Sequence, residues 1–306
     1  MTDRLLRNVA ASVRQRLTNA AKQSGRPFQE VLQYFAMERF LYRLSVSPHN
    51  ERFVLKGALM FNVWGAPASR PTRDIDFLAR LPYSVDAILP VIRDVCQQAA
   101  VPDGLVFDVD SLVGQVIKED ADYTGVRMTL LAYLENARIP MQIDIGFGDV
   151  IVPEAALTDY PVLLELAAPR LRAYPRETVV AEKFDAMVKL GQLNSRLKDF
   201  FDLWLLSRQF EFDGRILATA VTQTFSHRKT AITPQPVALT AAFANDPIKQ
   251  TQWKGFLRKS RIDTAPRDLP VVIEAISQFL LPLAQAHSAG QDFSSVWEPG
   301  GSWRYK

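Results

Sequence analysis

The sequence predicts an α+β protein in which a mixed sheet lies between an N-terminal helical arm and a mainly helical C-terminal domain. Three observations carry this. Residues 4–20 repeat apolar positions at Leu6, Val9, Val13 and Leu17, the spacing of one helical face. From Phe53 to about Ile145, short apolar or alternating runs replace that spacing. Beyond Pro153 the helical periodicity returns. The expected segments are an arm over 1–46, a core over 47–152, a helical domain over 153–287 and a flexible Gly/Ser-rich tail over 288–306.

The elements follow in order. Pro27 suits a first helical position, and Phe28 to Leu44 is apolar over more than half its circumference, so this helix should be buried. Phe53-Val54-Leu55 is a short strand meeting Lys56-Gly57, after which Ala58 to Trp64 resumes a helical pattern: strand, tight glycine turn, helix. Residues 72–78 alternate polar and apolar, a strand with one wet or ligand-facing side. Ser84 caps a helix to about Ala99. Strands are expected at 105–108, 112–118, 125–134 and 139–145, then helices at 178–190, 195–209, 215–225 and 269–287. Pro234, Pro236 and Pro247 mark a loop-rich stretch before the last of these.

With 306 residues, 48% of them apolar and 23% charged, the chain can bury a sizeable core, which excludes disorder and small disulfide scaffolds. No apolar run reaches the roughly 18 residues of a spanning helix, and the N-terminus lacks a signal-peptide core, so a cytoplasmic chain without a membrane partner is expected. One cysteine, Cys96, allows no internal disulfide, and three histidines make no zinc cluster; His49, His227 and His287 read as structural. Any metal must sit on carboxylates. The net charge of +3 hides a partition: 8 Lys/Arg against 3 Asp/Glu over 1–43, 10 against 17 over 44–170, and 18 against 13 over 171–306. This fits a metal-binding centre with flanks that attract a polyanion, and fits equally an ordinary scatter of solvated faces.

The sharpest local feature is Asp74-Ile75-Asp76. On a strand the two carboxylates project to one side while Ile75 and Phe77 enter the core. Such a pair repels itself unless a cation intervenes, and Mg²⁺ with substrate phosphates is the usual solution. Asp144, between Ile143 and Ile145, faces away from the apolar side of its own strand, and a neighbouring strand would bring it beside the pair. Three such acids suit a two-metal in-line phosphoryl or nucleotidyl transfer. The competing account is a sheet-edge Asp144 paired with Arg127 or Arg138. Lys56-Gly57-Ala58 occupies the turn before a helix, where backbone N–H groups receive phosphate oxygens. Lys183 falls inside the apolar stripe of its helix, placing its stem on the core and its ammonium toward a site or toward solvent. Asp199 and Asp202 share a face of the next helix and are suited to orient Lys183, to engage base or ribose, or to join the metal-bound reaction. Lys198 and Arg196 beside them suit surface ion pairs equally.

Four blocks in order, Phe53-Val54-Leu55-Lys56-Gly57-Ala58-Leu59, Arg70-Pro71-Thr72-Arg73-Asp74-Ile75-Asp76-Phe77, Ala181-Glu182-Lys183-Phe184-Asp185-Ala186 and Arg196-Leu197-Lys198-Asp199-Phe200-Phe201-Asp202-Leu203, resemble the AbiEii/AbiGii nucleotidyltransferase toxins, which include the MenT toxins. The resemblance spans about residues 5–260. It implies a polymerase-β-like nucleotidyltransferase core and a toxin of a bacterial toxin–antitoxin or phage-defence system. Some members transfer nucleotides from an NTP to the 3′ end of tRNA; others are associated with GTP binding. Gly57 matches the family's first-motif glycine, Asp74 and Asp76 its carboxylate pair, Lys183 the lysine of its Glu-Lys motif, and Asp199 and Asp202 the two acids of its Lys-Asp-x-x-Asp motif. Asp144 joins them as third metal ligand or base. Lys56, Gly57, Thr72, Arg73, Arg196 and Lys198 complete the candidate substrate-binding set. Where these enzymes place Ser after the glycine this chain has Ala58, so the missing hydroxyl contact falls to backbone N–H groups or to Thr72.

The segment 253–261 interleaves Trp253 and Phe256 with Lys254, Arg258, Lys259 and Arg261. Stacking with phosphate neutralisation would suit a single-stranded RNA end; a helix with its aromatics inside and its cations outside gives the same string. The reading reached is a Mg²⁺-dependent (or Mn²⁺-dependent) nucleotidyltransferase acting on an NTP and an RNA acceptor, tRNA foremost, with a cognate antitoxin. The alternatives are a non-catalytic nucleotide-binding partner of an antitoxin and a phosphoester hydrolase.

Overall fold

The computed structural model describes residues 2–66, 70–120 and 123–305, with the side chains of 2–8, 118–120 and 123 outside the description. The chain forms two compact units, each discontinuous in sequence: Met1–Gly65, Pro71–Gly148 and Ala156–Ala173 in the first, and Ala66–Arg70, Asp149–Ala155 and Tyr174–Lys306 in the second.

The first unit begins with α1 (Thr2–Ser24) and α2 (Phe28–Ser45). Val13 and Leu17 of the α1 stripe are buried as expected, while the side chain of Leu6 lies outside the described residues. Then come β1 (Phe53–Lys56), a single 3-10 turn, α3 (Met60–Val63), β2 (Asp74–Ala79), α4 (Val85–Gln97), β3 (Leu105–Asp120), β4 (Tyr123–Leu134), β5 (Ala137–Phe147), β6 (Ala156–Asp159) and β7 (Arg170–Ala173). These strands make one mixed seven-stranded sheet in the order β3-β4-β5-β2-β1-β7-β6. β2 runs antiparallel to β1 and parallel to β5. Ile75, Phe77, Ile143 and Ile145 share a core with Leu32, Phe35 and Ile92 of α2 and α4, so the helices cover one face of the sheet and the alternate residues line the other.

A buried charge network braces this layer. Arg43 donates to both oxygens of Asp103 at 2.7 and 3.1 Å, and Arg39 pairs with Glu38 at 3.2 Å. Glu38 in turn accepts the Leu163 backbone N–H, and Arg39 reaches the Ala167 carbonyl, which ties α2 to the loop between β6 and β7.

The second unit contains α5 (Arg176–Leu190), α6 (Leu197–Gln209), β8 (Phe212–Asp213), α7 (Gly214–His227), α8 (Ala241–Asn245), α9 (Pro247–Ser260), α10 (Leu269–Ser288), β9 (Val296–Trp297) and β10 (Trp303–Arg304).

Several expectations are corrected. The boundary at 152–153 is too early, because β6 and β7 continue the sheet beyond it, and the arm over 1–46 belongs to the same unit as that sheet. The tail over 288–306 is not loose: β8, β9 and β10 form a small sheet, Trp297 is buried with its indole N–H on the Ser207 carbonyl, and Trp303 stacks on Phe279. Aromatic burial of this kind outweighs the entropy of a glycine-rich segment. The stretch read as loop-rich holds α8 and α9, since Pro247 starts a helix capped by the Asp246 carboxylate rather than ending one. The expected strands at 105–108 and 112–118 are one strand, β3, with a register shift between Asp108 and Val113. By length and composition α10 is apolar enough to cross a membrane, against the expectation from sequence; Val272, Ile276, Phe279, Leu280 and Leu283 are buried within the second unit. His49 has a partner in Asp94, at 3.2 Å.

Candidate active site

β1 enters a turn at Gly57, whose φ of +72° is a region that side chains disfavour. There is a second reason for glycine here: a Cβ at this position would fall on the Asp76 carboxylate. Strand period two sends Asp74 and Asp76 to the helix-free face. Because β2 and β5 are parallel and in register, Asp76 lies opposite Asp144 and Asp74 opposite Gln142. Oxygens of the three carboxylates lie within 4.8 Å of one another.

The pairing extends this into a row across four strands. Arg127 on β4 faces Asp144, Asp144 faces Asp76, and Asp76 faces Lys56 on β1, so two acids lie between two cations. Arg127 donates to both oxygens of Asp144 at 2.7 Å each, and the Gln142 amide adds a bond of 3.1 Å. Asp74 is oriented by the Thr72 hydroxyl at 2.9 Å and the Arg73 backbone N–H at 3.1 Å. Thr72 is buried and its hydroxyl serves Asp74, which leaves backbone N–H groups at the Gly57 turn as the better phosphate donors. The Arg73 side chain is exposed.

Both accounts of Asp144 therefore hold in part. It joins the acid pair, and it is paired with Arg127, though from an interior strand rather than an edge; Arg138 instead faces Tyr133. The donors suit a hard divalent cation: all are carboxylate oxygens, and one guanidinium offsets one of three negative charges. Asp74 and Asp76 would be the primary ligands of such a cation. Asp144 would contribute through lone pairs that Arg127 does not occupy.

A second cluster lies in the second unit. Lys183 on α5 donates to Asp199 at 2.8 Å and Asp202 at 2.7 Å on α6. Arg196 pairs with Asp199 at 2.8 Å, and Arg70 grips both oxygens of Asp202 at 3.0 and 3.2 Å. Both acids are 1% exposed. Burial opposes the ionisation of Asp199, but Lys183 and Arg196 outweigh it and bring the carboxyl down to about 2. Burial likewise opposes the charge on Lys183, and Asp199 and Asp202 outweigh it, holding the ammonium above its ordinary range. Of the three roles open to these acids from sequence, orienting Lys183 is the one this geometry supports. Three cations, Lys183, Arg196 and Arg70, thus surround the two buried acids. Lys198 is exposed beside it.

Sequence reasoning missed Gln142 and Arg70 as parts of these clusters, and named Arg127 only as one of two alternative partners of Asp144. Arg127 stands at a polar position of an alternating strand, but only the pairing register shows what it faces. It also left Glu182 and Asp185 unexplained. Arg228 at the end of α7 pairs with Asp149 at 2.9 Å and with both of them at 3.4 Å, so the two acids join α5 to the end of α7.

The family model described as "Nucleotidyl transferase AbiEii toxin, Type IV TA system" matches residues 39–280. Among solved structures, a chain from H. pylori provisionally described as a nucleotidyltransferase is similar at a TM-score of 0.48 and 16% identity, covering 86% of this chain and 96% of that one. JHP933 from Helicobacter pylori is similar at a TM-score of 0.47 and 15% identity, covering 86% and 97%. No curated protein matches the chain.

Proposed function

The chain belongs to the AbiEii family of nucleotidyltransferase toxins of type IV toxin–antitoxin systems, and from that premise we propose that it transfers a nucleotide from an NTP to an RNA acceptor, the 3′ end of tRNA, with release of pyrophosphate. The family implies an antitoxin partner and a nucleotide substrate. The observation that supports the reaction is the convergence of Asp74, Asp76 and Asp144 beside the Gly57 turn.

A divalent cation, Mg²⁺ or Mn²⁺, supplies charge neutralisation on the triphosphate when bound by Asp74 and Asp76, with Asp144 as third ligand. The remaining work belongs to the chain. Backbone N–H groups at Gly57 receive phosphate oxygens, with Lys56 beside them in the row. Lys183, held by Asp199 and Asp202, is the lysine that the family resemblance assigns to the triphosphate, with Arg196 and Lys198 in the same candidate substrate-binding set. An RNA hydroxyl oxygen bonds to the α-phosphorus, the α–β bridging P–O bond breaks, and pyrophosphate leaves with that electron pair. Both Asp144 oxygens already accept bonds from Arg127, so the hydroxyl proton goes to solvent and not to Asp144.

Purified protein incubated with total RNA and each α-labelled NTP, with and without Mg²⁺, tests this. Label retained on RNA, lost in Asp74→Ala, is the expected result; label released as free nucleotide would identify a hydrolase. The engagement of both Asp144 oxygens by Arg127 favours one second reading, nucleotide binding without turnover. Calorimetric NTP binding with no pyrophosphate release on any RNA would select it.

A further inference from the structure

We propose that the exposed face of α9 docks the phosphodiester backbone of the RNA acceptor; this rests on the RNA-acceptor reading above. From Pro247 to Ile262 the chain has no acidic residue and five cations. Lys249 is buried and donates to the Asn194 carbonyl at 2.7 Å, so it is structural. Lys254, Arg258, Lys259 and Arg261 are exposed, and no ion pair to any of them is found among the described residues. The aromatics point the other way. Trp253 is fully buried with its indole N–H on the Pro266 carbonyl, and the Phe256 ring lies against Phe201 and Trp253. Base stacking is thereby removed from this segment and only the phosphate-binding half of its chemistry remains.

The helix dipole accounts for Arg258 and Lys259 in the last turn. It does not account for Lys254, four residues before Arg258 on the same face, where like charges repel unless an anion lies over them. Gly255 is an independent sign. It sits within the helix, where glycine is costly, and a Cβ there would meet nothing within 4 Å, so packing does not require it. It precedes Arg258 and Lys259 by three and four residues and leaves a gap in the side-chain layer between cations. Such a gap admits close approach of a polymer backbone.

The test is RNA binding by the full chain, followed by fluorescence anisotropy with bulk tRNA over a salt series, with label transfer to RNA measured in parallel. Replacing Lys254, Arg258 and Lys259 by Gln should weaken binding at least about tenfold and flatten the slope of log affinity against log salt by about 2–3. Replacing Lys22, Arg215 and Lys229, exposed cations elsewhere, makes the same change in net charge and should do neither. Gly255→Ala should raise the thermal midpoint by about 2–4 °C and yet weaken RNA binding. The proposal is overturned if the α9 variants bind as the parent does while the parent labels RNA, if the control triple loses as much, or if Gly255→Ala lowers the midpoint. A parent that neither binds nor labels RNA overturns the acceptor reading and this docking face with it.

Discussion

The Asp76 carboxylate rests against the Cα of Gly57, in the space a methyl group would occupy. The glycine turn and the candidate metal ligand are thus built as one object. Gly57→Ala must both tolerate a left-handed backbone, at roughly 1–2 kcal/mol, and push Asp76 out of its row. Transfer should fall by about 10²-fold or more, while the midpoint drops only by the few degrees that the backbone cost implies. Equal transfer in the two proteins would show that the position of Asp76 is immaterial.

Arg127 holds the three-acid group by two bonds to Asp144. Removing it as Arg127→Gln leaves three carboxylates facing one another, which should lower the midpoint in metal-free buffer. Added Mg²⁺ should then raise the midpoint further in the variant than in the parent. Thermal melts with and without the ion check this; identical metal shifts would mean that Asp144 is not part of the site.

Lys183 offsets two buried acids, so Lys183→Met leaves Asp199 and Asp202 with only Arg196 and Arg70. Breaking a buried pair costs about 3–5 kcal/mol. Adding Asp199→Asn to Lys183→Met should recover much of the stability and none of the transfer. Chemical denaturation paired with the label assay separates the two effects; recovery of activity in the double variant would remove Lys183 from the reaction.

Glu38 gives a pH dependence with a definite sign. Burial outweighs its hydrogen bond from Leu163 and its pairing with Arg39, and its carboxyl is pushed up to about 7. The folded chain therefore binds a proton that the unfolded chain releases near 4.5, so stability falls as pH rises from about 4.5 to about 7 and is level above that. Glu38→Gln should abolish this slope. A parent and variant with parallel midpoint-against-pH curves would show that Glu38 stays ionised throughout.

Much of this was legible locally. The strand-turn-helix at 53–64, the alternation that puts Asp74 and Asp76 on one side, and the placement of Lys183, Asp199 and Asp202 on successive helices all depend on neighbours within a few residues. What was not legible depends on register. Asp144 beside the acid pair and Asp144 on Arg127 were competing accounts; that both hold follows from strand pairing over long separations, which no spacing reports. β6 and β7 were missed because each is four residues long, and β6, at the sheet edge, lacks the alternation of a half-buried strand. Pro247 misled in the opposite direction, since a proline before an apolar pattern opens a helix as readily as it interrupts one.

β7 completes the sheet only after the chain has spent residues 149–155 in the helical unit. A fragment ending near 152 would leave the backbone of Phe53–Lys56 as a raw border, inviting strands from other molecules. Gene fission there would yield two sticky halves, not two working parts.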